Sequence, residues 1–147
     1  MSVVAVRQAE DGDVAAVAAW NAQLIADEGN DNPMPVGELA SRLREWLATG
    51  YRVFIFESDG IGCGYALFRD LPECTHVRHF FVEPAYRGRG VGRSAFEELR
   101  RTRFAPRKRV LVEVLVWNAQ GAAFWKRVGF EERYLGLQLP ALAGATD

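Results

Sequence analysis

The chain has 147 residues, of which 49% are hydrophobic and 25% charged, with a formal net charge of −1. That composition suits one soluble domain, here read as residues 1–147, and gives no overall field for holding nucleic acid. No apolar run approaches the roughly 20 residues of a membrane helix, and the N-terminus lacks a charged region followed by an apolar one and a cleavage site.

The first element predicted is a strand from Val3 to Ala9. Asp11 can then cap a helix, because its carboxylate can accept the orphan N–H groups of a first turn. Val14, Val17, Trp20 and Leu24 recur at helical spacing, and the helix should fail near Gly29. Leu39, Leu43, Trp46 and Leu47 share one face of a second helix that ends at Gly50. Trp20, Trp46, Tyr51 and Tyr65 read as core residues. The runs YRVFIFE and IGCGYALFR are separated by Ser58-Asp59-Gly60, a strong hairpin signal. Thr75 to Glu83 is a further strand. A third helix runs from about Gly90 to Arg103, and Pro106 closes the connection after it. Val110 to Trp117 is apolar on both faces and predicts a strand buried on both sides. A short helix then carries Phe124, Trp125 and Val128 and stops at Gly129. A last strand is expected over roughly Glu131 to Leu139. The two cysteines, Cys63 and Cys74, form no metal-spaced cluster and read as free thiols of a reducing cytoplasm. His76 and His79 sit at an odd spacing on a strand, which points them to opposite faces, so no metal site is expected. The arginine-rich stretch from Arg100 to Arg109 reads as a solvated helix end favoured by the helix dipole, so nucleic acid is not the expected partner.

Between the fourth predicted strand and the third helix stands Arg87-Gly88-Arg89-Gly90-Val91-Gly92-Arg93. A helix N-terminus leaves N–H groups without partners at its positive end, and glycine lets an anion approach them closely. Strand, glycine loop and helix together make a phosphate site, with Arg87, Arg89 and Arg93 adding charge. The Gly-Lys-Ser/Thr ending of a P-loop is absent. Arg93 stands where a dinucleotide fold would place its third glycine, and four strands precede the loop.

In context the segment resembles the acetyl-CoA-binding motif of the GNAT superfamily of N-acetyltransferases, Arg/Gln-x-x-Gly-x-Gly/Ala. The lead-in Phe81-Val82-Glu83-Pro84-Ala85-Tyr86 and the later run from Asn118 to Phe130 are similar to two further signatures of that family. The resemblance implies a mixed α/β fold: a central, mostly antiparallel sheet with a splayed parallel strand pair and helices on both faces. It implies that Gly88, Gly90, Val91 and Gly92, with the arginines, hold the pyrophosphate of acetyl-CoA, the acyl donor. The pantetheine would pair with the strand at Phe81 and Val82, where a backbone N–H donates to the acetyl carbonyl. Asn118 and Phe124 would line the cofactor side. The implied reaction is direct attack of a primary amine on the thioester; a non-catalytic acyl-CoA-binding module is the alternative. A homodimer is plausible by the same resemblance.

Transfer to an amine needs its neutral form, and deprotonating a lysine-like amine at pH 7 costs about 4–5 kcal/mol. The base candidates are His79, whose ordinary pKa lies near neutrality, and Glu113, expected to be buried with a raised pKa between Leu111 and Leu115. Each has a structural alternative, a satisfied core histidine and an arginine-paired carboxylate. Many family members carry a tyrosine as general acid where this chain has Trp125, and an indole is no proton source at neutral pH. Tyr134, on the expected last strand, is the candidate replacement, against its reading as a half-exposed strand tyrosine. On the acceptor side, Asp27, Glu28 and Asp31 at the joint of the first two helices would draw a cationic small molecule rather than a peptide amine.

Overall fold

The computed structural model describes residues 4–144. The order is β1 (Val4–Gln8), α1 (Val14–Asp27), α2 (Val36–Ala48), β2 (Arg52–Ser58), β3 (Ile61–Asp70), β4 (Cys74–Val82), α3 (Val91–Thr102), β5 (Arg109–Val112) and α4 (Ala119–Arg127). The sheet runs β1-β2-β3-β4-β5, antiparallel throughout except for the parallel β4–β5 pair. Val3, the expected start of the first strand, lies outside the described residues. Asp11 opens a short 3-10 turn, Asp11–Asp13, ahead of α1.

From β1 through α3 the elements form where their periodicity places them. Val14, Val17, Ala18, Asn21 and Leu24 turn one face of α1 inward, and Val91, Ala95, Phe96 and Leu99 do so on α3. Asp59 and Gly60 both take positive φ, 53° and 79°, as the two-residue turn between β2 and β3 requires. Residues of each strand alternate between two cores. One core, with Val17, Leu43, Val53, Tyr65 and Phe81, lies under α1 and α2. The other, with Phe56, Phe68, Val77, Phe96 and Leu99, lies under α3 and α4.

β4 carries the irregularity that shapes everything downstream. Leu67 pairs with His79 and Phe68 with Val77, so Arg78 is an extra residue, a β-bulge. The β4–β5 ladder ends one residue earlier, at Val77–Val112. Beyond it β4 continues to Val82 with an open edge while the chain after Val112 departs.

Two expectations are corrected here. The strand predicted over Val110 to Trp117 stops at Val112, and Val116 and Trp117 are 78% and 60% exposed. The bulge turns the edge of β4 away, so residues after Val112 find no ladder to join. The strand predicted over Glu131 to Leu139 does not form; Leu135, Leu137 and Leu139 alternate along an exposed, unpaired segment. Its pattern is that of a strand, but among the described residues no strand pairs with it.

Candidate acyl-transfer site

The N-cap of α3 is Gly90, which sits at φ 78° and gives the helix no side-chain cap. Gly88 is likewise left-handed at φ 75°. These conformations turn the loop so that the first N–H groups of α3 stay free of protein side chains, the condition for binding a diphosphate. A cavity of about 430 Å³ adjoins this end of the helix, lined by Arg89, Gly90, Val91 and Ser94 from one side and by Ser58, Asp59 and Ile61 of the hairpin from the other. Gly92 is packed: a Cβ there would lie 3.1 Å from the Phe124 ring and 3.6 Å from Val82. Phe124 in turn stacks on Phe80 at 5.5 Å. Thus Phe124, Gly92 and Val82 meet at the mouth of the opening beside β4.

The N–H of Glu83 donates to the Cys63 carbonyl at 2.8 Å, toward β3. Successive residues of an extended strand point their polar groups in opposite directions, so the N–H and carbonyl of Val82 face the open edge. The Val82 carbonyl accepts from Arg87 Nε at 2.7 Å, which agrees. At the far side the chain after β5 is tied to α1: Trp117 Nε1 donates to the carbonyls of Glu28 and Gly29, both at 3.2 Å. The open edge of β4 and this tie lie on either side of the point where β4 and β5 part.

Of the three loop arginines, only Arg89 is uncommitted among the described residues. Arg87 ion-pairs with Asp27, and Arg93 with Glu97 at 3.0 Å. Asp27 therefore already has a cationic partner, whereas Asp31 stays exposed. Glu28 is half-buried, and that burial raises its carboxyl above the ordinary range, with the Asp27 charge adding to the effect. Asn118 caps α4, its Oδ1 accepting the Gly121 N–H at 3.0 Å. Trp125 packs edge-on against Phe80, Phe96 and Phe130 as core.

The acid–base candidates fare unevenly. Glu113 lies beyond the end of β5 with its side chain 81% exposed, bonded to His76 Nε2 at 2.9 Å; the expected burial is absent because β5 ends before it. Tyr134 is 69% exposed on the unpaired tail. Neither is brought to the gap by any strand pairing. His79 lies on the α1/α2 side of β4, its Nδ1 sharing a hydrogen bond with the Tyr65 hydroxyl at 3.0 Å and its ring edge-on to Trp46. Desolvation first, then the charges of Arg42 and Arg78, lower its pKa to about 3. It is thus neutral at physiological pH and a poor acceptor for an ammonium proton. Tyr65 stays protonated, since burial raises its pKa well above 10, reinforced by Glu28 and opposed by Arg42.

That depression has a consequence for stability. Unfolded His79 takes up a proton near pH 6.5 and folded His79 does not, so the contribution is whole above pH 6.5 and is lost as pH falls toward 3. Urea unfolding at pH 7 and pH 5 should show a loss approaching about 1.4 kcal/mol per pH unit that is absent in His79→Gln. Equal losses in both proteins would show that other groups carry it.

The model of the acetyltransferase (GNAT) domain matches residues 49–132, from the start of β2 through α4. The chain belongs to the GNAT acetyltransferase family. No curated protein matches it. Among solved structures it is similar to the aminoglycoside N-acetyltransferase AAC(6')-Iy in complex with CoA, at 19% identity and a TM-score of 0.71, covering 96% of each chain. A predicted acetyltransferase with acetyl-CoA from Clostridium acetobutylicum gives 18% identity and a TM-score of 0.70 over 93% of this chain and 96% of that one. The ribosomal-protein-alanine N-acetyltransferase of Brucella melitensis gives 16% and 0.72 over 94% and 99%. Within the GNAT fold, the bulge at Arg78 and the open edge to Val82 are the splayed strand pair that the sequence resemblance implied.

Sequence reading missed the side chains that Arg42, Trp46 and Arg78 bring together, and the Trp20 indole bonded to Glu83 at 2.7 Å. They sit on separate elements, so no spacing in the chain announces them.

Proposed function

We propose that this GNAT acetyltransferase moves the acetyl group of acetyl-CoA directly to the primary amine of a small molecule, within a single cytoplasmic domain spanning residues 1–147. The observation that carries this reading is the conjunction of an uncapped α3 N-terminus with the open edge of β4 from Arg78 to Val82. The diphosphate of acetyl-CoA binds the free N–H groups of Val91, Gly92 and Arg93, with Arg89 beside them. The pantetheine lies along β4, and the Val82 N–H donates to the thioester carbonyl, the bond strengthening as the oxygen gains charge. The amine attacks, a C–N bond forms, the C–S bond breaks, and CoA leaves as its thiolate. Phe81, Phe124 and Asn118 support the walls and the helix at that opening. The two cysteines are free and buried, which suits a reducing compartment.

Glu28 is the proton acceptor in this reading, in preference to His79 and Glu113. Its carboxyl is raised, it acts at Tyr65, and its backbone borders the gap through Trp117. A base works only when deprotonated, so the rate should rise with pH through the raised Glu28 pKa. Glu28→Gln should lower kcat/KM by about 10²–10⁴ and remove that limb. An unchanged profile would return the role to water or another group.

The deciding experiment for the activity is CoA-thiol release from acetyl-CoA across small amines and short peptides. Calorimetric binding of acetyl-CoA with no release on any amine would favour the non-catalytic module. A homodimer is the reading for the unpaired tail: the strand pattern of Leu135, Leu137 and Leu139 would add to the free edge of β5 in a second copy. Sedimentation giving monomer at every concentration would remove it.

A further inference from the structure

On the α1/α2 side of β4, one residue past the end of the β5 ladder, cations collect without a counter-ion. Arg42 of α2 and Arg78, the bulge residue, both place their guanidinium carbons on the Trp46 ring, 4.3 and 4.7 Å from its centroid. Among the described residues neither makes an ion pair within 4.0 Å with any carboxylate. Holding two like charges together is unfavourable unless something negative joins them.

A second observation is independent of charge. Asn21 of α1 is 5% exposed, and its Nδ2 is buried without any acceptor. Arg42 Nε is buried and unbonded in the same way. The two side chains touch, Arg42 Nη2 donating to Asn21 Oδ1 at 3.3 Å. Buried donors without acceptors are rare and costly. Here both are donors on adjoining groups, so what is lacking is acceptor oxygen. Tyr65 cannot supply it as an anion, because it remains protonated, and His79 already shares its Nδ1 with the Tyr65 hydroxyl.

The opposite sign lies across the same phenol. Glu28 and Arg42 both act electrostatically on the Tyr65 hydroxyl, the first as an anion that raises its pKa and the second as a cation that lowers it. The region between α1, α2 and β4 therefore carries negative charge at Glu28 and positive charge at Arg42 and Arg78. We propose that the acceptor is an amine that also bears a carboxylate: its nitrogen faces Glu28, and its carboxylate takes the donors of Asn21, Arg42 and Arg78 beside Trp46. Planar guanidinium groups match two carboxylate oxygens, and stacking on Trp46 fixes their orientation. This assignment rests on the acyl-transfer reading above for the role of the nitrogen, though not for the recognition of the carboxylate.

The test compares linear amino acids with their primary amides as acceptors, by thiol release. The amide's amine is the less basic of each pair, so a preference for the carboxylate runs against intrinsic reactivity. The expected result is kcat/KM at least tenfold higher for the carboxylate. Arg78→Ala, a change at an exposed side chain, should abolish that preference by raising KM at least tenfold for the carboxylates and far less for the amides; Arg42→Gln should act in the same direction. Equal or better use of the amides overturns the assignment while leaving acetyl transfer intact. If no amine is turned over, calorimetric titration of the same amino acids into CoA-loaded protein decides. Binding that Arg78→Ala weakens tenfold sustains the carboxylate pocket and discards the transfer reading, and absence of binding discards the pocket.

Discussion

Gly64→Ala should be among the most damaging single-methyl changes in the chain. A Cβ at Gly64 would lie 2.0 Å from the carbonyl oxygen of Phe81 and 3.0 Å from the Cα of Val82. Those atoms are backbone, so no side chain can swing aside; β3 and β4 must part at the Gly64–Val82 pair. Overpacking of a fixed interior costs about 1–3 kcal/mol, and a backbone collision belongs at or above the top of that range. The midpoint of urea unfolding should fall accordingly. Acetyl transfer should fall further than stability does, because the displaced residues are those that present the Val82 N–H to the thioester. Gly62→Ala is the internal control. It sits on the same strand, and its added Cβ meets only the Trp20 ring at 3.4 Å and Ile55 at 3.7 Å, ordinary contacts. If the two variants unfold alike, strand separation at Val82 is not the cause.

Gly90→Asp should separate binding from folding. Nothing lies within 4 Å of a Cβ at this position, so the side chain has room. The cost is backbone strain at φ 78°, which aspartate tolerates better than most residues and which belongs near the lower end of about 1–3 kcal/mol. Partly offsetting it, a carboxylate at the positive end of α3 is favourable to the helix by about 0.3–1 kcal/mol. The same carboxylate stands where the diphosphate must come, repelling it and competing for its N–H donors. Losing one or two hydrogen bonds to a charged group, at about 1.5–3 kcal/mol each, predicts a fall in acetyl-CoA affinity of at least tenfold and up to several thousandfold. Calorimetry with CoA measures it, beside a thermal unfolding curve that should move by only a few degrees. Arg93→Glu should give a smaller loss in the same direction, since Arg93 is already shared with Glu97. Retained CoA affinity in Gly90→Asp would mean that the diphosphate is held elsewhere.

The sequence by itself determined the elements up to α3, the hairpin at Asp59-Gly60, the loop at Gly88 and Gly90, and through two motifs the family. All of these are local: periodicity, turn chemistry and uncapped amides are written in consecutive residues, and the structure had no competing force strong enough to override them. Only the tertiary structure decided what met what. Alternation in Val110 to Trp117 and in Leu135 to Leu139 told which faces were apolar, but not whether a neighbouring strand existed to cover them. The burial expected of Glu113 and the strand expected to carry Tyr134 are therefore both absent, and both side chains lie exposed. The ordinary pKa of His79 suggested a base, while burial beside Arg42 and Arg78 keeps it uncharged and unfit for that work. The cationic pocket of Arg42, Trp46 and Arg78 unites a helix with a strand bulge, and a bulge follows from the register of two strands. Burial and electrostatics depend on distances through space, and spacing along the chain constrains those only within one element.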